Sequence, residues 1–194
     1  MGRRYDRRTN VPHWLALARI GAVPIIMGLT RLHQSVDNAL PWAATLFALA
    51  SFTDFLDGYL ARRWNLSSVL GAFLDTTADK LLVFGSLLAL TSIGRASVWA
   101  ALIIVMREIV VMSLRGLAAM SGVLVKPSIF GKIKATVQFV AIFLTFVRFG
   151  PELGPMYLDQ WAMWVAVLIT IASGWHYVVA FWHVVRGAQN PANA

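Results

Sequence analysis

The sequence predicts an all-α integral membrane protein with six transmembrane helices, and three observations lead to this fold class. The chain of 194 residues is 58% hydrophobic with a mean hydropathy of +0.66, and only 13% of its residues are charged. Soluble domains carry about a quarter charged residues. The apolar residues form long runs, such as Trp42–Phe52, Leu81–Leu90 and Val137–Val147. A spanning helix needs roughly 20 mostly apolar residues, so the chain has room for about six spans and no separate soluble module.

Turn-forming residues divide the apolar runs into these six elements. Pro41 starts the second span, Gly94 separates the third from the fourth, and Pro127 lies between the fourth and fifth. The predicted spans are residues 13–31, 40–63, 69–93, 96–121, 130–149 and 158–186. A basic segment, residues 1–12, precedes this membrane domain of residues 13–186, and a polar tail, residues 187–194, follows it.

The distribution of basic residues predicts the orientation in the membrane. One side would hold the four N-terminal arginines, Arg62, Arg63, Lys126, Lys132, Lys134 and Arg186, and the other only Arg31, Arg95 and Arg148. This bias puts both termini in the cytoplasm. The net charge of +8 favours attraction to anionic headgroups or phosphate-bearing substrates over nucleic acid, because the basic residues are scattered along the helices and their ends. The absence of cysteine excludes disulfide and thiol chemistry.

Four aspartates cluster at the predicted junction of the second and third spans. Asp54 and Asp57 share a helix face at the end of the second span, and Asp75 and Asp79 share one at the start of the third. The connection between the spans is short, so we expect antiparallel neighbours whose four carboxylates converge near the cytoplasmic surface. Helix capping in water would explain any one aspartate, but not four at this spacing with two glycines and an arginine between them.

The energetics of this cluster predict a metal site. A charge near the centre of a spanning helix costs at least about 2.5–3.5 kcal/mol, and four carboxylates in one site repel one another. Two divalent cations would neutralise them, and ligands that are all oxygen indicate Mg²⁺ or Mn²⁺. Paired metals of this kind suit phosphoryl chemistry. A cation channel or transporter is the alternative, but a transporter would place its site near the midplane between broken helices.

The segment from Asp54 to Asp79 resembles the signature of the CDP-alcohol phosphotransferase family. That signature is D-x-x-D-G-x-x-A-R, eight residues, then G-x-x-x-D-x-x-x-D, and the sequence matches it at every position. The resemblance implies a six-span bundle and a homodimer. It also implies that Asp54, Asp57 and Asp75 are metal ligands, and that Asp79 is the catalytic base and contacts a metal too. Gly58, Ala61, Arg62 and Gly71 would bind CDP-diacylglycerol.

Further blocks resemble the bacterial members of this family that use sn-glycerol 3-phosphate as the acceptor. They are Asn10-Val-Pro12 with Arg19, Arg63-Trp-Asn, Arg107-Glu108 with Ser113-Leu-Arg115, and Gly131-Lys132-Ile-Lys134. The resemblance implies transfer of the phosphatidyl group of CDP-diacylglycerol to sn-glycerol 3-phosphate, with release of CMP. A cardiolipin or inositol-lipid synthase of the same family remains the alternative.

Four basic residues are candidates for binding the phosphate of the acceptor. They are Arg107, Arg115, Lys132 and Lys134 on the fourth and fifth spans. Lys132 and Lys134 are two residues apart and point to different faces, so at most one is expected to reach the substrate. Glu108 is expected to pair with a basic neighbour, and Arg19, within the first span, to face a polar cavity or a partner. His176 and His183 are interpreted as interfacial or packing residues rather than metal ligands.

Overall fold

The computed structural model of the protein describes residues 11–64, 69–120, 129–150 and 152–189. Within these ranges the chain is all-helical, apart from an isolated bridge between Leu153 and Met156. The helices are α1 (Val11–Arg31), α2 (Ala39–Trp64), α3 (Val69–Ser92), α4 (Val98–Met120), α5 (Ile129–Val147) and α6 (Leu158–Gln189). The six predicted helices are therefore confirmed, with boundaries that differ by up to three residues.

Backbone conformations with positive φ explain two of the boundaries. Gly94 has φ +71° in the turn before α4, which begins at Val98 rather than at the predicted residue 96. Arg148 and Gly150, with φ of 45° and 78°, end α5 at Val147, two residues before the predicted end. Residues in this left-handed region cannot continue a right-handed helix. At the other terminus α6 continues to Gln189, so the first three residues of the predicted polar tail are helical.

The helices pack as one bundle in which α1 and α6 each contact two neighbours. α1 packs against α2 and α3, and α6 packs against α4 and α5. Contacts of α2 with α5, and of α3 with α2, α4 and α5, join these two groups. The predicted contact between α2 and α3 is therefore present, and α3 touches every other helix except α6 in this set of interfaces.

The interior of the bundle is apolar in one half and polar in the other. The apolar core comes from the C-terminal halves of α1, α3 and α5 and the N-terminal halves of α2, α4 and α6. Its largest buried side chains include Ile26, Phe47, Leu87, Ile104 and Phe146. The rings of Phe47 and Phe146 lie 5.8 Å apart and join α2 to α5. The opposite half contains the buried charged side chains described below.

A group of polar contacts lies at the end of the apolar half, between the α3–α4 turn and the α5–α6 connection. Arg148 donates to Asp159 of α6 at 3.1 Å and to the backbone carbonyl of Arg95 at 3.0 Å, and its guanidinium stacks on Tyr157. Arg95 donates to the carbonyl of Phe146 at 2.9 Å, which caps the end of α5. Burial lowers the pKa of Arg95, and the neighbouring Arg148 lowers it further. These contacts connect the α3–α4 turn with the ends of α5 and α6.

Large apolar side chains cover much of the outer surface. Trp14, Trp42, Trp99 and Trp161 are exposed near helix ends, as expected for interfacial belts. Among the residues that the structure describes, two helices are long and apolar enough to cross a membrane, over Trp14–Arg31 and Leu158–Val179. Shorter apolar segments cover Ala39–Thr53 and Ile133–Val147. In α3 and α4, charged residues interrupt the apolar sequence.

Candidate active site

Asp75 and Asp79 lie one turn apart on α3, in the polar half of the bundle. The side chain of Asp75 is 45% exposed and that of Asp79 is 24% exposed. Their spacing of four residues puts both carboxylates on one helix face, as the sequence predicted. Partial exposure leaves both carboxylates accessible to a ligand that approaches from outside α3.

Arg19 of α1 contacts one of these carboxylates. Its Nη1 donates to Oδ1 of Asp75 at 3.2 Å, and its side chain is fully buried. A buried guanidinium requires a partner, because desolvation of an isolated charge costs several kcal/mol. The expectation that Arg19 faces a polar partner is confirmed, and the partner belongs to the aspartate motif.

Glu108 of α4 is the centre of a second charged cluster. Only 4% of its side chain is exposed, and it contacts three cations: Lys80 of α3, Arg107 of α4 and Lys134 of α5. Lys80 Nζ lies 2.7 Å from Oε2 of Glu108, and Lys134 donates to Oε1. The expectation that Glu108 pairs with basic neighbours is confirmed, with three partners rather than one.

Arg107 extends this cluster to α6. Its Nη2 donates to Ser173 Oγ at 2.7 Å, and its guanidinium lies 5.5 Å from the ring centre of Tyr177. Gly174 permits this approach, because a Cβ at that position would lie 3.0 Å from Cγ of Arg107. Nearby, Gln138 of α5 donates to Thr170 of α6 at 2.8 Å. Polar contacts therefore connect α3, α4, α5 and α6 in this half of the bundle.

Several predicted site residues lie outside what the structure describes. The backbone of α2 is described through Trp64, but the side chains of Asp54, Asp57, Ala61 and Arg62 are outside the described residues, as is Gly58 beyond its helical backbone. Among the side chains that are described, no three His, Asp or Glu residues converge as a metal site would require. The convergence of all four aspartates therefore stays a prediction.

The predicted acceptor residues are separated into different environments. Arg107 and Lys134 meet at Glu108, whereas Arg115 is exposed, about 12 Å further along α4 at 1.5 Å per residue. The side chain of Lys132 lies outside the described residues, and the different faces expected for Lys132 and Lys134 stay a prediction. Gly71 is half-buried in the first turn of α3.

Sequence reasoning missed three residues of this site: Lys80, Ser173 and Tyr177. A cation within an apolar helix is expensive without a partner, so Lys80 could have been singled out directly after Asp79. Ser173 and Tyr177 are four residues apart and therefore share a face of α6. The sequence of α6 does not indicate that this face contacts a charged residue of another helix. His176 is exposed, in edge contact with the ring of Tyr177, and the side chain of His183 lies outside the described residues.

Comparisons with known proteins agree with the motif. A model of the CDP-alcohol phosphatidyltransferase family matches residues 9–172. The chain is 38% identical over 189 residues to a CDP-diacylglycerol–glycerol-3-phosphate 3-phosphatidyltransferase of Bacillus subtilis, covering 91% of this chain and 97% of the relative. A protein of the same name from Rickettsia typhi is 36% identical over 174 residues, with 88% and 96% covered.

A more distant relative carries a related name. A probable phosphatidylglycerophosphate synthase of Mycobacterium tuberculosis is 34% identical over 191 residues, covering 96% of this chain and 88% of the relative. The family match covers the aspartate motif, Arg19, Glu108 and Lys134 in one continuous segment. From these matches over most of its length, the chain belongs to the CDP-alcohol phosphatidyltransferase family of transferases.

Proposed function

We propose that the protein transfers the phosphatidyl group of CDP-diacylglycerol to sn-glycerol 3-phosphate, giving phosphatidylglycerol phosphate and CMP. The names of the relatives support this donor and this acceptor. The observation that carries the proposal is the link through Glu108, which contacts the cations Arg107 and Lys134 and also Lys80, the lysine that contacts Asp79. A phosphate-bearing alcohol needs cations for its phosphate and a carboxylate for its hydroxyl, and both are present here.

The reaction exchanges the phosphoanhydride bond of CDP-diacylglycerol for a phosphate ester bond to the acceptor. The acceptor hydroxyl oxygen forms a bond to the phosphorus of the phosphatidyl group, and the bond from that phosphorus to the CMP oxygen breaks. Asp79 takes the proton of the acceptor hydroxyl, which makes the alcohol a better nucleophile. CMP leaves with the electron pair of the broken bond.

We propose that Asp54, Asp57, Asp75 and Asp79 hold Mg²⁺ or Mn²⁺, with two ions as the expected number. The residues described here fit this role, because Asp75 and Asp79 offer oxygen ligands from one face of α3 and both are partly exposed. Arg19 donates to Oδ1 of Asp75 at 3.2 Å, and because the Arg19 side chain is buried, it holds this carboxylate from the buried side. When bound, such ions would polarise the diphosphate and offset the charge of departing CMP.

The two substrates would occupy neighbouring parts of the polar half. Gly58, Ala61, Arg62 and Gly71 would bind the CDP-diacylglycerol, since the small residues leave room between α2 and α3. Arg107 and Lys134 would bind the acceptor phosphate, with Arg115 and Lys132 nearer the predicted cytoplasmic ends. Among the described side chains, three cations (Lys80, Arg107 and Lys134) contact two carboxylates (Asp79 and Glu108). The cations therefore exceed the carboxylates by one.

We further propose six transmembrane spans in the cytoplasmic cell membrane, with both termini and the active site facing the cytoplasm. Exposed apolar side chains on α1, α4 and α6 support insertion, because without lipid around them these side chains would face water. A lipid donor also requires a site that acyl chains can reach from the bilayer. A homodimer is part of this proposal, by the family resemblance.

CMP release from purified protein tests the acceptor and the metal together. With CDP-diacylglycerol and Mg²⁺, we expect release with sn-glycerol 3-phosphate and none with inositol phosphate or phosphatidylglycerol. Removal of divalent ions by a chelator should abolish release, and Mg²⁺ or Mn²⁺ should restore it. Release with another acceptor alone would assign a different synthase activity in the family. Full turnover after exhaustive chelation would overturn the metal site.

A further inference from the structure

Lys80 occupies a position between the proposed base and the buried glutamate. Its Nζ lies 2.8 Å from Oδ2 of Asp79 and 2.7 Å from Oε2 of Glu108. Adjacent residues on a helix do not face each other, so the Lys80 side chain must fold back to reach Asp79. Glu108, on the neighbouring helix α4, also contacts the ammonium and so stabilises this folded-back geometry.

Both oxygens of Glu108 are used in this arrangement. Oε2 accepts from Lys80, and Oε1 accepts from Lys134 and, at 3.2 Å, from Arg107. Glu108 therefore connects the base Asp79, through Lys80, with the two cations assigned to the acceptor phosphate. A carboxylate that is 4% exposed and satisfied on both oxygens has little freedom to move.

We propose that Lys80 is a positioning residue for Asp79 and that Glu108 holds Lys80 and the acceptor-binding cations in one frame. This inference rests on the proposed function. Lys80 holds Oδ2 of Asp79 and thereby directs the other carboxylate oxygen towards the acceptor hydroxyl. Because the same glutamate positions Arg107 and Lys134, the distance between bound phosphate and base is fixed by one side chain. That distance would select an acceptor whose hydroxyl and phosphate are correctly spaced.

The test separates turnover from acceptor binding in purified variants. Lys80→Met should lower kcat by about 10–100-fold, the effect of misplacing a catalytic group by about 1 Å, with the acceptor KM within twofold of wild type. Lys134→Met should instead raise the acceptor KM and leave kcat within a few-fold. Glu108→Gln should show both effects. Lys80→Arg, which keeps the charge and reach, should recover at least a tenth of wild-type kcat.

Rates are normalised to folded protein, measured by thermal unfolding and size exclusion. If Lys80→Met does not fold, Lys80→Leu takes its place, because it also removes the contacts with both carboxylates. Asp159→Asn at the opposite end of the bundle is the control for a purely structural ion pair. A kcat of folded Lys80→Met, or of the variant that replaces it, within twofold of wild type overturns the inference.

The wild-type reaction distinguishes this failure from failure of the proposed function. If wild type releases CMP with a different acceptor, the same variants are compared with that acceptor. If it releases none with any acceptor, the proposed function and the inference both fall. If it turns over and only the Lys80 variant behaves as wild type, the inference alone is wrong.

Discussion

Arg19 and Glu108 are charged side chains buried in a chain that is otherwise strongly apolar, and each has partners on other helices. Arg19 contacts Asp75, and Glu108 contacts Lys80, Arg107 and Lys134. Removal of one partner from a buried ion pair typically costs more than the pair contributes, because the remaining charge stays desolvated. At the scale of single residues, each of these two buried charges therefore has an oppositely charged partner on another helix.

Asp79→Asn should reduce turnover by about 10²–10⁴-fold, the usual contribution of a general base. The amide keeps the size of the side chain and still accepts a hydrogen bond from Lys80, so the fold should persist. CMP release and thermal unfolding of the purified variant measure the two effects. Asp37→Asn, the same change at an exposed loop residue between α1 and α2, is the matched control. Near-normal turnover of Asp79→Asn would remove Asp79 from the role of base.

The packing of neighbouring helices in this bundle depends on small residues and on the polar contacts at the ends of the bundle. Gly85 of α3 lies against Val23 of α1, where an added Cβ would overlap Cγ1 of the valine. Val23 is β-branched and stiff, so it cannot move aside without a backbone shift. At the end of the bundle, Arg148 and Asp159 connect α5 with α6. These elements position α3 and α6, the helices that carry Asp79 and Ser173.

Gly85→Ala should destabilise the protein by about 1–3 kcal/mol, because overpacking forces α1 and α3 apart. Thermal unfolding in detergent measures the change. The variant Gly28→Ala is the control, since nothing lies within 4 Å of a Cβ at that position. Adding Val23→Ala to Gly85→Ala should restore much of the lost stability. An unaltered melting temperature for Gly85→Ala would contradict close packing of these two helices.

Asp159→Asn should lower stability by about 1–3 kcal/mol and leave kcat of the folded enzyme unchanged. Its carboxylate is 1% exposed and accepts from Arg148, so loss of its charge weakens a buried contact. Unfolding and CMP release are measured on the same preparation. Glu152→Gln, at an exposed position in the same connection, provides the comparison. A fall in kcat without a fall in stability would show that the Arg148 contact acts on the site.

The whole molecule is polarised, with an apolar core in one half and charged side chains in the other. The apolar half is closed by Arg95, Arg148 and Asp159, and the polar half contains Asp75, Asp79 and the Glu108 cluster. A lipid-processing site at one end of a bundle is accessible to soluble substrates from one side only. The orientation in the membrane therefore decides which compartment supplies the acceptor.

Single cysteines test this orientation directly, because the natural chain has none. Ser35→Cys, in the exposed α1–α2 turn, should react with a membrane-impermeant maleimide in intact cells. Ala192→Cys should react only after lysis, since the proposed orientation, based on the excess of Lys and Arg, places both termini in the cytoplasm. The unsubstituted protein is the background control. The reverse labelling pattern would contradict cytoplasmic termini.

The sequence alone determined the six helices and the aspartate motif. Long apolar runs and turn residues specify where helices begin and end, and spacings of three and four specify which aspartates share a face. Periodicity gives the face of a helix, but not the helix that packs against it. For that reason only the tertiary structure revealed that Arg19 pairs with Asp75, that Lys80 joins Asp79 to Glu108, and that Arg107 reaches α6. These contacts join residues up to 66 positions apart, and packing of the apolar surfaces decides them.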